Sequence, residues 1–447
     1  MKKPDTFLNT YHLKYSRRKD FQPTSNESFT PATYGSDILL KGRLKSASTN
    51  NSLNYQVNYR DFNIKDSSAI RANTPKKSIT GRLEGDYSFF DEIIETSTYY
   101  ELGSGKERRT EYQFVRVRGE GRGNYVWNDY NNNNSQELNE FEPATQSNDY
   151  KANFIRVLTP STNYVRSISN NLRENLVLDF TDLDFNNNST LTEFITSFSN
   201  ESNISVSRKA LQQEDWKQYF PLKLNVADST LVKVNAEFKN TIHYNKTDPD
   251  YGLYYSYRNS KNKQLRLRGF DTRTLEEHQI HGRINFSRNW SFFPEYLLGL
   301  KTFSSDFFDE KEFHIDYDEI SGNVSYQPTG KIRLSLIYAY EKQQNQAGAN
   351  EQLLKHKGSF ESTFNFIGKG RLRARLNFIN MNFDGQSNSP IGYEMLQGLN
   401  KGVNWTWLLS GNYKLKDNIQ LNIQYNGRTG LQDNVIHQAN VSAQYLF

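Results

Sequence analysis

Alternation with period two runs through most of this chain, and it restricts the fold more than any other feature. In NIQLNIQY, Ile419, Leu421, Ile423 and Tyr425 fall on one side, and Gln420, Asn422 and Gln424 on the other. RLRARLNF sets Leu372, Ala374, Leu376 and Phe378 against Arg371, Arg373, Arg375 and Asn377. LNYQVNY near the start and IRLSLIYAY, VNWTWLLSGNY and QANVSAQYLF towards the end do the same. Successive side chains point to opposite faces only in a β-strand, so these segments predict strands with one apolar and one polar face.

The alternation explains an otherwise contradictory composition. Only 35% of residues are hydrophobic and the mean hydropathy is −0.82. No run approaches the roughly 20 consecutive apolar residues of a membrane-crossing helix. Such polarity would suit a disordered chain, but 28 Tyr and 29 Phe do not. A strand that is apolar on one face only satisfies both observations.

The connections carry an independent signal. Working back from Phe447, links at 426–435, 382–402 and 341–357 read as long. Those around Lys416-Asp417-Asn418, Gly368-Lys369-Gly370 and Pro328-Thr329-Gly330 read as tight. Sorting of loops by length is expected of a transmembrane barrel with short turns at one rim and long loops at the other. The predicted fold is all-β: an antiparallel transmembrane β-barrel over residues 1–447, of roughly 16–20 strands, with long external loops and a short helical insertion. The insertion is predicted over 183–218, where LTEFITSF places Leu191, Phe194, Ile195 and Phe198 at helical spacing and SRKALQQEDWKQYF also reads as helix. In FHIDYDEISGNVSY the apolar parity changes between Tyr317 and Ile320, which predicts either a bulge or a strand that continues beyond the membrane.

Residues 119–148 read as an inserted polar loop. Within WNDYNNNNSQELNEF, counting from Asp129 as position one, Asn131 and Asn133 occupy three and five, and Glu140 occupies twelve. Ser135 at seven would offer its carbonyl, and Glu137 at nine would act through water. That is the oxygen-ligand order of an EF-hand-type Ca2+ loop. Asn134 stands where the turn glycine is usual, and no flanking helices are evident, so an Asn-rich external loop without metal is the competing reading. Glycines at 119, 121 and 123 predict a strand face left bare, for close backbone approach or for sharp curvature.

Arg371, Arg373 and Arg375, with Lys41, Arg43 and Lys45, lie on the polar side of their strands. In a barrel these basic groups would face the lumen, either steering anions or pairing with carboxylates on neighbouring strands. The net charge of +5 comes with no long basic tract, so nucleic acid is not an expected partner. The chain has no cysteine, which excludes disulfides and thiolate sites. No nucleophile-elbow signature is present and the seven histidines are scattered, so an enzyme is not expected. MKKPDTFLNTYHLKYSRR has a basic start without a following apolar run, so an export signal is expected upstream of this chain, in a longer precursor.

The terminal VSAQYLF, with Val441, Tyr445 and Phe447, resembles the C-terminal signature that presents Gram-negative outer-membrane barrels to their assembly machinery. GEGRGNYVWNDYNNNNSQELNEFEPA and SPIGYEMLQGLNKGVNWTWLLSGNYKLKDNIQLNIQYNGR are similar to segments of large outer-membrane proteins of the Bacteroidota. The resemblance implies an outer-membrane address, membrane lipid and the assembly machinery as partners, and contact with other envelope proteins. It supplies no activity. The expected function is transport, secretion or envelope structure. A secreted β-rich adhesin or carbohydrate-binding module is the alternative, and would show no sorted loops and no outward apolar band.

Overall fold

The computed structural model describes residues 9–445 except 24–27, 47–50, 66–76, 120–121, 131–132, 145–150, 182, 184–189, 214–215, 223–227, 267–268, 417 and 430–434. The first half of the described chain contains β1 (Thr10–Pro23), β2 (Phe29–Lys45), β3 (Ser52–Ile64), β4 (Lys77–Phe89), β5 (Ile94–Arg116), β6 (Tyr125–Trp127), β7 (Phe141–Pro143), β8 (Phe154–Asp179), α1 (Thr190–Thr196) and β9 (Phe198–Leu211). The second half contains β10 (Leu231–Tyr244), β11 (Tyr251–Arg266), β12 (Gly269–Asn285), β13 (Trp290–Ser305), β14 (Phe313–Thr329), β15 (Ile332–Asn345), β16 (Gln352–Phe366), β17 (Gly370–Asp384), α2 (Pro390–Leu396), β18 (Gly402–Lys416), β19 (Ile419–Thr429) and β20 (Val435–Tyr445).

All twenty strands belong to one antiparallel sheet. Eighteen form a continuous barrel wall in which chain neighbours pair, with β5 joined directly to β8. The other two, β6 and β7, form a small hairpin in the 117–153 link. This is the all-β, antiparallel architecture that the alternation predicts.

Burial along the wall is inverted relative to a water-soluble sheet. On β15, Leu336 and Tyr338 are 64% and 54% exposed, while the residues of opposite parity, Glu341 and Gln343, are 6% and 1% exposed. On β13 and β17 the outward faces carry exposed Tyr296, Leu298, Leu376 and Phe378. A face of large apolar side chains directed away from the protein, backed by a sheltered polar face, is the arrangement of a wall standing in lipid.

The inversion stops near one rim, here called upper, which bears the 385–401 link. On β17 the inward row runs Arg373, Arg375, Asn377, then Ile379, Met381 and Phe383, the last three buried. On β14, Phe313 and Ile315 are buried on the inward side, while Ile320 and Val324, of opposite parity, are exposed outside. The register of β14 with β13 is unbroken, and with β15 it shifts only between Tyr326 and Thr329. The parity change of FHIDYDEISGNVSY is therefore a strand passing out of the apolar band, with no bulge. Above the band the inward side packs on protein and the outward side meets water.

Several expectations need correction. The 183–218 segment is not one insertion: α1 fills part of it, but Phe198–Leu211 is the wall strand β9, paired along most of its length with β8 and β10. Ladder bonds on both sides outweigh the weak helical preference of SRKAL. The WKQY part is a single 3₁₀ turn, Trp216–Tyr219. The links expected at 426–435 and 341–357 shorten to 430–434 and 346–351, because the strands continue past the apolar band. Outside those C-terminal strands the sorting of links by length is incomplete. The 180–197 link with α1 is at the lower rim, and the two-residue link 267–268 is at the upper. Of the glycine row, Gly119 sits in a left-handed bend (φ 103°) outside any strand, and Gly121 lies outside the described residues. Gly123 does allow close approach, since a Cβ there would lie 2.4 Å from the Phe154 nitrogen.

Among the described residues β1 pairs only with β2, and β20 only with β19. Every residue of β20 is exposed. An even number of wall strands leaves β1 and β20 antiparallel, the relation that pairing between them requires. In detergent micelles, amide exchange read by mass spectrometry should be about tenfold or more faster along 10–23 and 435–445 than along 332–345. Equal protection would mean that both edges are covered. In lipid vesicles, Leu336→Arg should lower unfolding stability in a urea titration by about 2–4 kcal/mol. The inward-facing Ser442→Arg should change it by less than about 0.5 kcal/mol.

Candidate functional site

The inward face is a ladder of charge assembled by strand register. Arg258 pairs with Glu237 at 2.9 Å and with Glu277 at 3.7 Å, and the Tyr317 hydroxyl donates to Glu277 at 2.6 Å. One strand further, Lys355 forms a largely buried ion pair with Glu341. Arg373 and Arg375 both donate to Glu361 of β16, each at 2.7 Å. The ion pairs join neighbouring strands at directly opposed or diagonal positions, whereas Tyr317 of β14 reaches across Gly299 of β13 to Glu277 of β12.

The long 385–401 link folds back onto this face. Ser389 caps α2, its hydroxyl accepting from the Gly392 N–H at 2.9 Å, with Pro390 at the first turn and Gln397 left-handed (φ 54°) at the end. Ile391, Met395 and Leu396 bury against Phe313, Ile315, Leu353, Ile379, Met381 and Phe383. From the helix, Glu394 reaches Arg273 of β12 at 3.4 Å and Lys301 of β13 at 3.6 Å. The helix thus spans the inward face from β12 to β17 and narrows the upper mouth. Sequence reading treats 382–402 as a plain long loop and misses α2, although Ser-Pro before and Gln-Gly after an Ile-x-x-x-Met-Leu spacing are start and stop signals.

The six basic residues singled out from sequence share this inward face. Besides the Glu361 pairs, the Arg371 Nε donates to Asn365 at 2.8 Å. Lys41 lies opposite His12 and Gln56, and Arg43 opposite Thr10 and Asn54. Lys45 ends β2 opposite Ser52. The two clusters are far apart in strand order and do not meet in one site. Next to Lys41 and Arg43 on the same face, the Arg82 Nε donates to Glu84 at 2.9 Å.

The 117–153 link leaves the same upper rim. Its base is an aromatic cluster in which Phe114 stacks on Phe141 at 4.0 Å and Phe141 meets Phe154 edge-on at 5.0 Å. Within it, Asp129 accepts the backbone N–H groups of Asn133 (3.1 Å) and Asn134 (2.9 Å). Asn133 accepts the Ser135 N–H at 2.7 Å and donates to Glu137 at 3.2 Å. Asn131 lies outside the described residues. Nearby, the Tyr130 hydroxyl donates to Glu142 at 2.5 Å, and that bond pushes the Tyr130 pKa above its usual range. Among the described residues no three of His, Cys, Asp and Glu converge as a metal-binding group.

Of the terminal signature, Val441 and Tyr445 are exposed on the outward face, opposite Ile423 and Ile419, and Phe447 lies outside the described residues. Three cross-strand tyrosine–histidine hydrogen bonds mark the wall: Tyr255–His278 at 2.7 Å, Tyr338–His356 at 2.8 Å and Tyr425–His437 at 2.8 Å.

The buried Lys355–Glu341 pair gives a direct test of the inward network. Lys355→Met alone should cost about 3–5 kcal/mol in a urea titration, by stranding Glu341. The double change Lys355→Met, Glu341→Leu should recover most of that loss.

No protein-family model and no curated protein sequence matches the chain. Solved structures with similarity to it include outer-membrane proteins. A loop-deletion mutant of the Vibrio cholerae outer membrane protein OmpT is 10% identical, with 92% of this chain and 100% of that one covered, at a TM-score of 0.34. The outer membrane protein OpdK of Pseudomonas aeruginosa is 8% identical over 98% and 97% of the two chains, at 0.40. OccK11 of the same organism is 11% identical over 99% and 96%, at 0.38. At these TM-scores the likeness supports no statement about substrate or activity.

Proposed function

We propose that this chain forms the wall of a bacterial outer-membrane barrel that passes small hydrophilic solutes, with anions favoured over cations. The observation that carries the reading is the pairing of an exposed apolar outward face with an inward face of ionised side chains, narrowed at its mouth by α2. A purely structural wall has no use for a charged interior, since each ion pair must be desolvated to form. A lumen lined by charge of both signs admits hydrated polar solutes, and its basic rows bias it towards anions. The resemblance of two stretches to Bacteroidota outer-membrane proteins agrees with the address.

The secreted adhesin is disfavoured by one observation. A soluble sandwich buries its apolar faces between two sheets, whereas the described strands form one sheet with its apolar face exposed.

Planar-bilayer recording under a KCl gradient tests the proposal. The native chain should conduct with a reversal potential on the anion side. Glu361→Gln should free Arg373 and Arg375 and move that potential further towards anions by several millivolts. Absence of conductance, or a potential that Glu361→Gln does not move, would remove the transport reading.

A further inference from the structure

We propose that the Asp129–Glu140 loop is a calcium site, formed independently of whether the wall conducts. The first support is the order of oxygen groups, with Asp129 at the first position, Asn133 at the fifth, the Ser135 carbonyl at the seventh and Glu140 at the twelfth. The described residues of the loop are placed as such an order requires. Both Asp129 carboxylate oxygens accept N–H groups from the loop that follows, and the sixth position, Asn134, adopts the left-handed conformation (φ 57°) that the usual glycine supplies.

The second support is independent of the winding. Glu140 is 1% exposed, and its Oε1 has no hydrogen-bond partner among the described residues. Its Oε2 accepts from the Trp127 indole N–H at 2.9 Å and from the Glu137 N–H at 3.3 Å, so the carboxylate is held beneath the second half of the loop. A buried carboxylate oxygen with no donor is costly unless a cation meets it. In this loop order, position twelve is the ligand that binds through both oxygens.

The donor set selects the ion. Only Asp129 and Glu140 bring carboxylates directly, with amide and carbonyl oxygens completing the shell and Glu137 acting through water. Nitrogen and sulfur donors are absent from that set, which excludes a preference for zinc or copper and suits a hard, flexible-coordination cation. Two direct carboxylates on an exposed loop correspond to the weak extracellular class, with a dissociation constant of about 10⁻⁴–10⁻³ M. Bound calcium would join β6 and β7 through Asp129 and Glu140 and stiffen the hairpin above the aromatic base.

The test uses the full chain refolded in detergent, with correct folding checked by heat-modifiable gel mobility. Calorimetric titration with CaCl2 should show one site per chain, and MgCl2 should not replace it. Tb3+ should bind at the same place and luminesce on tryptophan excitation, because Trp127 bonds a ligand carboxylate. Glu140→Gln and Asp129→Asn should each weaken Ca2+ binding at least about tenfold. Asn133→Ala, at an exposed position, serves if Glu140→Gln fails to fold. Trp127→Phe should abolish the sensitised emission while leaving Ca2+ binding in place. No heat with CaCl2 up to 10 mM (about ten times the weak end of that range), or binding that none of the loop variants weakens, overturns the proposal.

Discussion

A sheet surrounded by hydrocarbon has no water to satisfy its backbone, so every N–H and C=O within the apolar band must pair with another strand. Among the described residues, eighteen strands in one antiparallel ladder meet that demand except along the outer edges of β1 and β20. Each other feature of the wall follows from the same requirement. Strands must be long enough to carry the ladder across the band, and only their side chains are left to distinguish lipid from lumen. The polar composition of the chain is a consequence, because half of every strand faces away from lipid.

The height of the apolar band explains where the pattern reverses. Within it, β15 and β17 send leucine and aromatic side chains outward and ionised groups inward. Above it, Ile379, Met381, Phe383, Phe313 and Ile315 are inward, because α2 gives them a protein surface to pack on. The same helix brings Glu394 to Arg273 and Lys301, so the apolar contact that anchors the link also places a carboxylate over the charged interior. Packing and lumen electrostatics at the mouth are thus coupled through seven helical residues.

The 117–153 link works on a different scale. Phe114, Phe141 and Phe154 fix its base, the β6–β7 hairpin carries the chain away from the rim, and Asp129 gathers the polar turn around itself. A loop this polar has little apolar surface to bury. Its order rests on hydrogen bonds to two carboxylates, one of which, Glu140, is buried with an oxygen unanswered.

What the sequence alone determined is the strand character of the chain, its two-faced wall and the order of oxygen groups from Asp129 to Glu140, because each is written within a few consecutive residues. Even the parity change in β14 was visible, although choosing between a bulge and an emerging strand required the register with β13 and β15. Tertiary structure decided what depends on distant partners. Phe198–Leu211 became β9 because strands on both sides supply its ladder, and Pro390–Leu396 became a mouth-narrowing helix because β14, β16 and β17 present it an apolar bed. The partners of Arg373, Arg375, Glu341 and Lys355 were fixed by register, which no single strand contains. Alternation is a local property of each strand, whereas pairing is a property of two, and that difference separates what was legible from what was not.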